Sequence, residues 1–347
     1  MAIKSISIQN FTVFSDIKID FCEGVNVLIG ENGTGKTHLL KILHAFCNTK
    51  SSYIDIGNER KKEVNEFSHN VEYYFGAHHP EKRKLIRNYD YSDIDIDTDR
   101  FATIDIATNN GKREFFIFPM EQDEFGDTGY AYTPFIDSPC AFIPAKDMLT
   151  HGGLEWDYAE RNLPFDGTLI DVLRRAGVST LKTLSVEMKC IADKISKIIG
   201  GKVLFRPPKY YVEKDGKLID FNLEAEGFKK LGLVYRLIET GYIQKGSVLL
   251  WDEPDANINP KRIPEIVKIL LELEQQGVQI FLATHDYNLM KYFSMAKKDH
   301  NRVSFYSLYK TNNSVACECE DDYDLLKHNA IVDAEIKLLE DDFVGVV

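Results

Sequence analysis

The stretch Gly30-Glu31-Asn32-Gly33-Thr34-Gly35-Lys36-Thr37 constrains this chain more than any other. It fits G-x-x-x-x-G-K-[ST], a loop whose backbone cradles phosphates. Its glycines let consecutive N–H groups turn inward into an anion-binding nest. A lysine at position 36 reaches the β- and γ-phosphates, and a hydroxyl at position 37 holds Mg²⁺. The flanks agree. Val25-Asn26-Val27-Leu28-Ile29 predicts a buried strand, and Leu39, Leu40, Ile42, Leu43 and Phe46 have helical spacing. Such a helix points its positive end at the phosphates. The expectation is a nucleotide site lined by Asn32, Gly33, Thr34, Gly35, Lys36 and Thr37.

A second half of this site is expected much later in the chain. Val248-Leu249-Leu250-Trp251-Asp252-Glu253 is an apolar strand ending in two acids. A Mg²⁺ held by Thr37 needs a nearby carboxylate, and Asp252 is placed to supply it. Glu253 can orient and deprotonate an attacking water. Val278-Gln279-Ile280-Phe281-Leu282-Ala283-Thr284-His285 is another strand with a polar end, and His285 is expected to bond the γ-phosphate or the water. The long interval between Lys36 and Asp252 leaves room for an inserted antiparallel sheet and a helical lobe.

Bulk properties narrow the class. The chain has 347 residues and is 44% apolar, ample for a buried core. No apolar run approaches the ~18 residues of a membrane span, and Met1 to Ile8 alternates like a strand, so a cytosolic protein without a membrane partner is expected. The cysteines are scattered, which predicts reduced thiols, and Cys317-x-Cys319 lacks a second pair for zinc. A net charge of −12 disfavours a broad DNA-coating surface. Arg60-Lys61-Lys62 and Lys82-Arg83-Lys84 with Arg87 are the candidate basic patches. Glu320-Asp321-Asp322 and Glu340-Asp341-Asp342 read most simply as solvated acidic faces, and more sharply as docking surfaces for a basic partner.

In order, strands are expected at Ile3–Ile8 and Ile17–Phe21, with a turn from Asn10 to Asp16. Residues 51–63 read as a loop and Val64 to Gly76 as a strand pair. Asp93 to Asp99 resembles half a calcium loop, but Thr98 and Ile104 stand where Gly and Glu are needed, so a strand with one solvated face fits better. Phe101–Ala107 and Arg113–Phe118 predict a hairpin across Asn109-Asn110-Gly111. Residues 121–140 are loop-like, and Ala141 to Lys146 begins as a strand. Leu169 to Ile199 reads as helical until Gly200-Gly201. Strands at Val203–Phe205, Tyr210–Glu213 and through Phe221 precede helices at about 226–239 and 260–276. Strands near 302–309 and 314–319 and a helix near 329–342 close the chain.

This order of parts resembles ABC-type ATPases of the SMC/RecF-like branch, and within it the stand-alone ATPases of bacterial anti-phage defence. Ile6-Ser7-Ile8-Gln9-Asn10-Phe11 is similar to the branch's opening strand. Gly30 to Thr37 matches its Walker A and Trp251-Asp252-Glu253-Pro254 its Walker B. Asp255 to Pro260 looks like its D-loop, and Ala283-Thr284-His285-Asp286 like its switch-His motif. The resemblance implies an α/β fold: a P-loop NTPase, an ABC-type ATPase head with an antiparallel β subdomain, an inserted helical lobe and no long coiled coil. One domain is expected over 1–347. Within it, 1–150 carries Walker A and the β subdomain, and 151–225 the helical lobe and a hairpin leading to the signature helix. Residues 226–300 carry Walker B, the D-loop and the switch-His segment, and 301–347 the last strands and helix.

The resemblance further implies ATP and Mg²⁺ as ligands and a head-to-tail dimer, or a higher oligomer, in which Gly227 of one subunit completes the other's site. The family pattern L-S-x-G-[EQ] reads Glu224-Ala225-Glu226-Gly227-Phe228 here. Ala225 lacks the signature hydroxyl, so slow hydrolysis is expected, with Lys229 or Lys230 as candidates to compensate. After Phe142-Ile143-Pro144 the chain has Ala145-Lys146-Asp147 in place of a Q-loop glutamine. The function implied is an ATP-driven switch or scaffold for a separate effector encoded nearby, a nuclease or toxin. The alternative is a DNA-repair ATPase that binds DNA ends.

Overall fold

The computed structural model describes residues 2–55, 61–77, 84–87, 101–117, 133–134, 139–161, 163–297, 302–312 and 314–345. Strands β1 (Ile3–Phe11) and β2 (Phe14–Asp20) alternate buried and exposed residues, as a sheet with one solvated face must. Strand β3 (Val25–Ile29) is buried throughout and feeds α1 (Lys36–Cys47). Next come β4 (Lys50–Asp55), β5 (Lys61–Asn65), α2 (Phe67–Phe75), β6 (Ala102–Thr108), β7 (Gly111–Ile117), β8 (Thr133–Pro134) and β9 (Cys140–Ile143). A helical lobe follows, made of α3 (Leu154–Arg161), α4 (Gly167–Gly177) and α5 (Val186–Ile199). The small sheet β10 (Lys202–Arg206), β11 (Lys209–Lys214) and β12 (Lys217–Asp220) leads into α6 (Glu226–Glu239). The chain closes with β13 (Val248–Asp252), α7 (Ile263–Gln275), β14 (Gln279–Ala283), α8 (Tyr287–Ala296), β15 (Val303–Lys310), β16 (Val315–Glu320) and α9 (Ala330–Val344).

The central sheet has the order β16-β15-β3-β14-β13-β9. Its pairs are parallel except β15 with β16, and β3, β14, β13 and β9 are buried throughout because both faces are covered. On one face, α1 and the antiparallel sheet β2-β1-β6-β7 pack against Leu28, Leu250 and Phe281. On the other, α4 to α8 pack against Val27, Trp251 and Leu282. Two buried amides lock the layers. The Gln279 side chain accepts from Ile3 N at 2.8 Å and donates to Ile3 O at 2.8 Å, fixing β1 beside β14. Asn26 Nδ2 donates to Ile280 O at 3.2 Å across the β3–β14 pair. The strand that feeds the P-loop is thus held between β14 and β15 in a doubly covered sheet, and the loop passes from it into α1.

Four sequence expectations change. The first hairpin turns tightly at Thr12-Val13, with Phe11 opposite Phe14, so the strands run further than expected. Residues 51–55 and 61–63 lie in paired strands rather than a loop, because β4 is held between β5 and β8. Within Val64 to Gly76 the chain forms α2, not a strand pair. Phe67, Val71 and Tyr74 are buried on one helical face, and Gly76 caps the helix with φ 63°. The helical stretch from Leu169 splits in two, because Ser185 Oγ accepts from Met188 N and starts α5 as a new N-cap. The expected hairpin at Asn109-Asn110-Gly111 is present. The strand expected at residues 93–99, Arg60, Lys82 and Arg83 lie outside the described residues, as does most of the loop expected at 121–140. Among the described residues, no helix is long and apolar enough to cross a membrane.

Candidate active site

The P-loop owes its shape to two glycines. Gly30 has φ 140°, and a Cβ there would lie 2.1 Å from the Leu308 carbonyl of β15. Gly35 has φ 90°, and its Cβ would lie 2.5 Å from the Phe14 ring. Neither position admits a side chain, so β15 and the first hairpin hold the loop from outside. Gly35 is also the N-cap of α1, so the helix's free N–H groups open into the loop. Thr34 Oγ1 donates to Glu31 O at 2.9 Å and braces the turn.

The second half meets the first at the ends of parallel strands. Thr37 Oγ1 donates to Asp252 Oδ2 at 2.9 Å, joining α1 to the tip of β13. Glu253 follows with φ 50°, a left-handed conformation rare for a residue with a Cβ. Two bonds hold it there. Its N–H donates to Ala283 O at 2.8 Å, and its carbonyl accepts from Lys230 Nζ at 2.6 Å. Such strain persists only where surroundings over-determine it, and it clusters at functional sites. His285 Nδ1 lies 3.5 Å from Glu253 Oε1, with both side chains part-exposed. Thr284 Oγ1 donates to Asp255 Oδ1 at 2.6 Å and ties the β14 end to the loop after β13.

Asn32 to Thr37, Val13, His38, Asp252 and Glu253 line a cleft of 200 Å³, and His285 is not among its lining residues but stands against Glu253. Lys36 Nζ donates to the carbonyls of Gly30 at 2.6 Å and Glu31 at 3.0 Å. Burial pulls the Lys36 pKa down, against Asp252, Glu253 and Glu31, which hold its charge. Burial pushes the Asp252 carboxyl up, Glu253 adds to this, and the Thr37 hydroxyl opposes it. A divalent cation fits this pair: a hydroxyl and a carboxylate are the hard oxygen donors Mg²⁺ takes, and a cation offsets the cost of burying Asp252. A polyphosphate fits the loop, which presents N–H groups and Lys36, while its one acid, Glu31, is not among the residues lining the cleft and pairs with Lys310 at 3.7 Å.

Gly227 stands apart from this cleft, in the first turn of α6. Ala225 is the N-cap there, without a side-chain bond, and Ala225 and Glu226 are exposed. A Cβ on Gly227 would lie 3.1 Å from Asn257 O and 3.2 Å from Ile258 Cγ1, so the loop after β13 packs against its α-carbon. The two candidate compensating lysines turn elsewhere: Lys229 pairs with Glu226 at 2.6 Å and Lys230 reaches Glu253. Asp147 caps its own turn, accepting from Leu149 N at 3.1 Å and from Thr150 Oγ1 at 2.5 Å.

Sequence reasoning missed the internal role of Lys230 and the place of His38. A lysine among Leu231, Leu233 and Val234 on the buried face of α6 was the available signal. His38 sits in the cleft wall with Nδ1 unpartnered among the described residues. Burial, helped by Lys41, holds its pKa down at about 4.

Comparison with known proteins agrees with this architecture. Residues 1–120 match a family model described as "AAA ATPase domain". Residues 179–291 match one described as "AAA domain, putative AbiEii toxin, Type IV TA system". The DNA replication and repair protein RecF of Exiguobacterium sp. is 45% identical over 51 residues, covering 15% of this chain and 14% of that protein. RecF of Cytophaga hutchinsonii is 26% identical over 194 residues, covering 49% of this chain and 51% of that protein. The chain thus spans about half or less of the length of these curated relatives. Among solved structures, the SmcHead bound to the C-winged helix domain of ScpA aligns with a TM-score of 0.51 at 13% identity, covering 92% of this chain and 98% of that one. The fold is that of a P-loop NTPase, an ABC-type ATPase head. Its likenesses lie with the SMC/RecF-like ATPases.

Proposed function

We propose that the chain binds and hydrolyses ATP and uses the cycle to switch a separate effector. The observation that carries the reading is the 2.9 Å bond between Thr37 and Asp252, which joins the P-loop to the Walker B strand. In this reading Asn32 to Thr37 hold the phosphates, with Lys36 on the β- and γ-phosphates. Thr37 and Asp252 hold Mg²⁺, which supplies charge neutralisation when bound. Glu253 orients and deprotonates the attacking water. His285, 3.5 Å from Glu253, bonds the γ-phosphate or that water.

Gly227 completes a second subunit's site in a head-to-tail dimer. The exposed, uncapped first turn of α6 supports this, since its free N–H groups face outward. Ala225 offers no hydroxyl there, so turnover stays below about 10 s⁻¹, the enzyme median. The effector is a nuclease or toxin in anti-phage defence; the matched description naming a toxin–antitoxin system supports that side. The RecF likeness favours a second reading, a repair ATPase on DNA ends. Salt-sensitive binding of DNA ends at micromolar protein selects the second over the first.

Glu253→Gln tests the core of the proposal. The variant is expected to bind ATP, dimerise and stop hydrolysing. Normal hydrolysis by the variant removes Glu253 as the base, and a wild type without hydrolysis leaves ATP binding as a driver of assembly alone.

A further inference from the structure

Helix α9 leaves the body of the protein after its first turn. Ile331 is buried and Val332 half-buried, and from Asp333 to Phe343 every side chain except half-buried Asp341 is exposed. At ~1.5 Å per residue this is about 16 Å of helix without cover. A helix this short is marginal in water without an apolar partner. Apart from Leu338, which is 61% exposed to one side, its large apolar residues beyond the first turn are ordered. Val332, Ile336, Leu339 and Phe343 follow 4-3-4 spacing, the seam that packs knobs into holes against another helix. Ile336 is 49% exposed, Leu339 68% and Phe343 93%, and they line a shallow groove of 520 Å³ with Glu340.

We propose that this seam docks a basic amphipathic helix of a partner protein. The charges beside the seam select the occupant. Asp333, Glu335, Glu340, Asp341 and Asp342 stand on α9 against Lys337 alone. A second copy of α9 places acids against acids in either orientation, which costs rather than stabilises. An anionic lipid surface is repelled for the same reason. A helix with apolar a and d positions and Lys or Arg beside them satisfies both the seam and its flanks. The surface is separate from the nucleotide cleft, to which α9 contributes no lining residue.

The test uses the full chain and a synthetic three-heptad peptide with Leu at a and d and Lys and Arg at e and g. Fluorescence anisotropy reads binding, without nucleotide. The basic peptide is expected to bind in the micromolar range, more weakly as salt rises, and an acid-flanked version of the same seam at least about tenfold more weakly. Ile336→Asp with Leu339→Asp is expected to abolish binding while circular dichroism and ATP turnover match wild type. Glu335→Lys with Glu340→Lys should reverse the preference toward the acidic peptide. Equal binding of both peptides, or undiminished binding by the double Asp variant, overturns the proposal. So does self-association of the free chain, or retention on phosphatidylserine vesicles, that the double Asp variant abolishes.

Discussion

The Lys230 ammonium donates to the main-chain carbonyl of Glu253 at 2.6 Å. One bond thereby joins the buried second turn of α6 to the end of β13. Burial pulls the Lys230 pKa down, and Asp255, Glu253, Asp252 and Asp147 hold its charge against that. Glu253 keeps φ 50° with this bond on its carbonyl and Ala283 on its N–H. The proposed base is therefore tied to α6 by a direct hydrogen bond.

Lys230→Met follows directly. The substitution keeps the packing volume of the stem and leaves the Glu253 carbonyl without its donor. Glu253 is then free to relax from its left-handed backbone. Turnover is expected to fall about tenfold or more, equivalent to at least ~1.4 kcal/mol in the barrier. ATP affinity, set by the P-loop, should change less than about threefold. Steady-state kinetics beside equilibrium ATP binding checks both, and a parallel loss of affinity and turnover would break the proposed link.

His38 predicts an acid-labile fold. Its folded pKa of about 4 lies below the ordinary 6.5 because burial and then Lys41 disfavour its charged form. Between those values the unfolded chain binds more protons than the folded one, so stability rises with pH across that window. Above 6.5 the penalty is absent, and below 4 it is fully expressed, at about 3 kcal/mol. His38→Asn should flatten this slope. Urea unfolding at several pH values between 4 and 6.5 measures it; an unchanged slope would assign the acid lability elsewhere.

A buried ion-pair network fastens the P-loop helix to the lobe. Asp171 of α4 lies 2.9 Å from His44 Nε2 of α1 and 2.7 Å from Arg175 Nε. Arg175 also donates to Asn48 Oδ1 at 2.6 Å and to the Cys140 carbonyl of β9. Burial works against the Asp171 charge, but Arg175 and then His44 hold its pKa well below the usual carboxylate range. Asp171→Asn leaves the guanidinium buried without its counter-charge. The expected cost is about 3–5 kcal/mol of stability. Thermal unfolding of the folded variant reads this, and a loss under ~1 kcal/mol would mean water reaches the network.

What the sequence made legible is local. The P-loop needs its glycines and Lys36 at fixed spacing, and the Walker B strand carries its acids at its own end. Both survive as short motifs, and strand alternation in β1 and β6 is equally local. The misread segment at Val64 to Gly76 shows where local rules compete. Its aromatic and β-branched residues favour strand by propensity, yet Phe67, Val71 and Tyr74 already had helical spacing, and burial against α1 and β7 decides for the helix. Strands β4 and β5 are polar and take their form from pairing, which a single stretch does not reveal. The Asp171 network and the Lys230 bond join residues far apart in sequence, so no spacing rule marks them.

Ala225 offers a gain-of-function test with two separable readouts. It occupies the N-cap of α6 with φ −63° and ψ 141°, extended backbone ready for a capping side chain, and makes no cap bond. Ala225→Ser supplies a hydroxyl that can accept from an N–H of the first turn. Stability should rise by about 0.5–2 kcal/mol through this cap, whatever the protein does. The signature position also lacks the hydroxyl a second subunit's ATP would meet. If α6 closes on that ATP, the same substitution restores a hydrogen bond worth about 1 kcal/mol, and turnover should rise about fivefold. The gain should depend on protein concentration, because the hydroxyl acts across the dimer. Thermal unfolding and turnover at several protein concentrations separate the two effects. Greater stability with unchanged turnover would mean that Gly227 and its helix do not complete a neighbouring site, and the head-to-tail arrangement would fall with it.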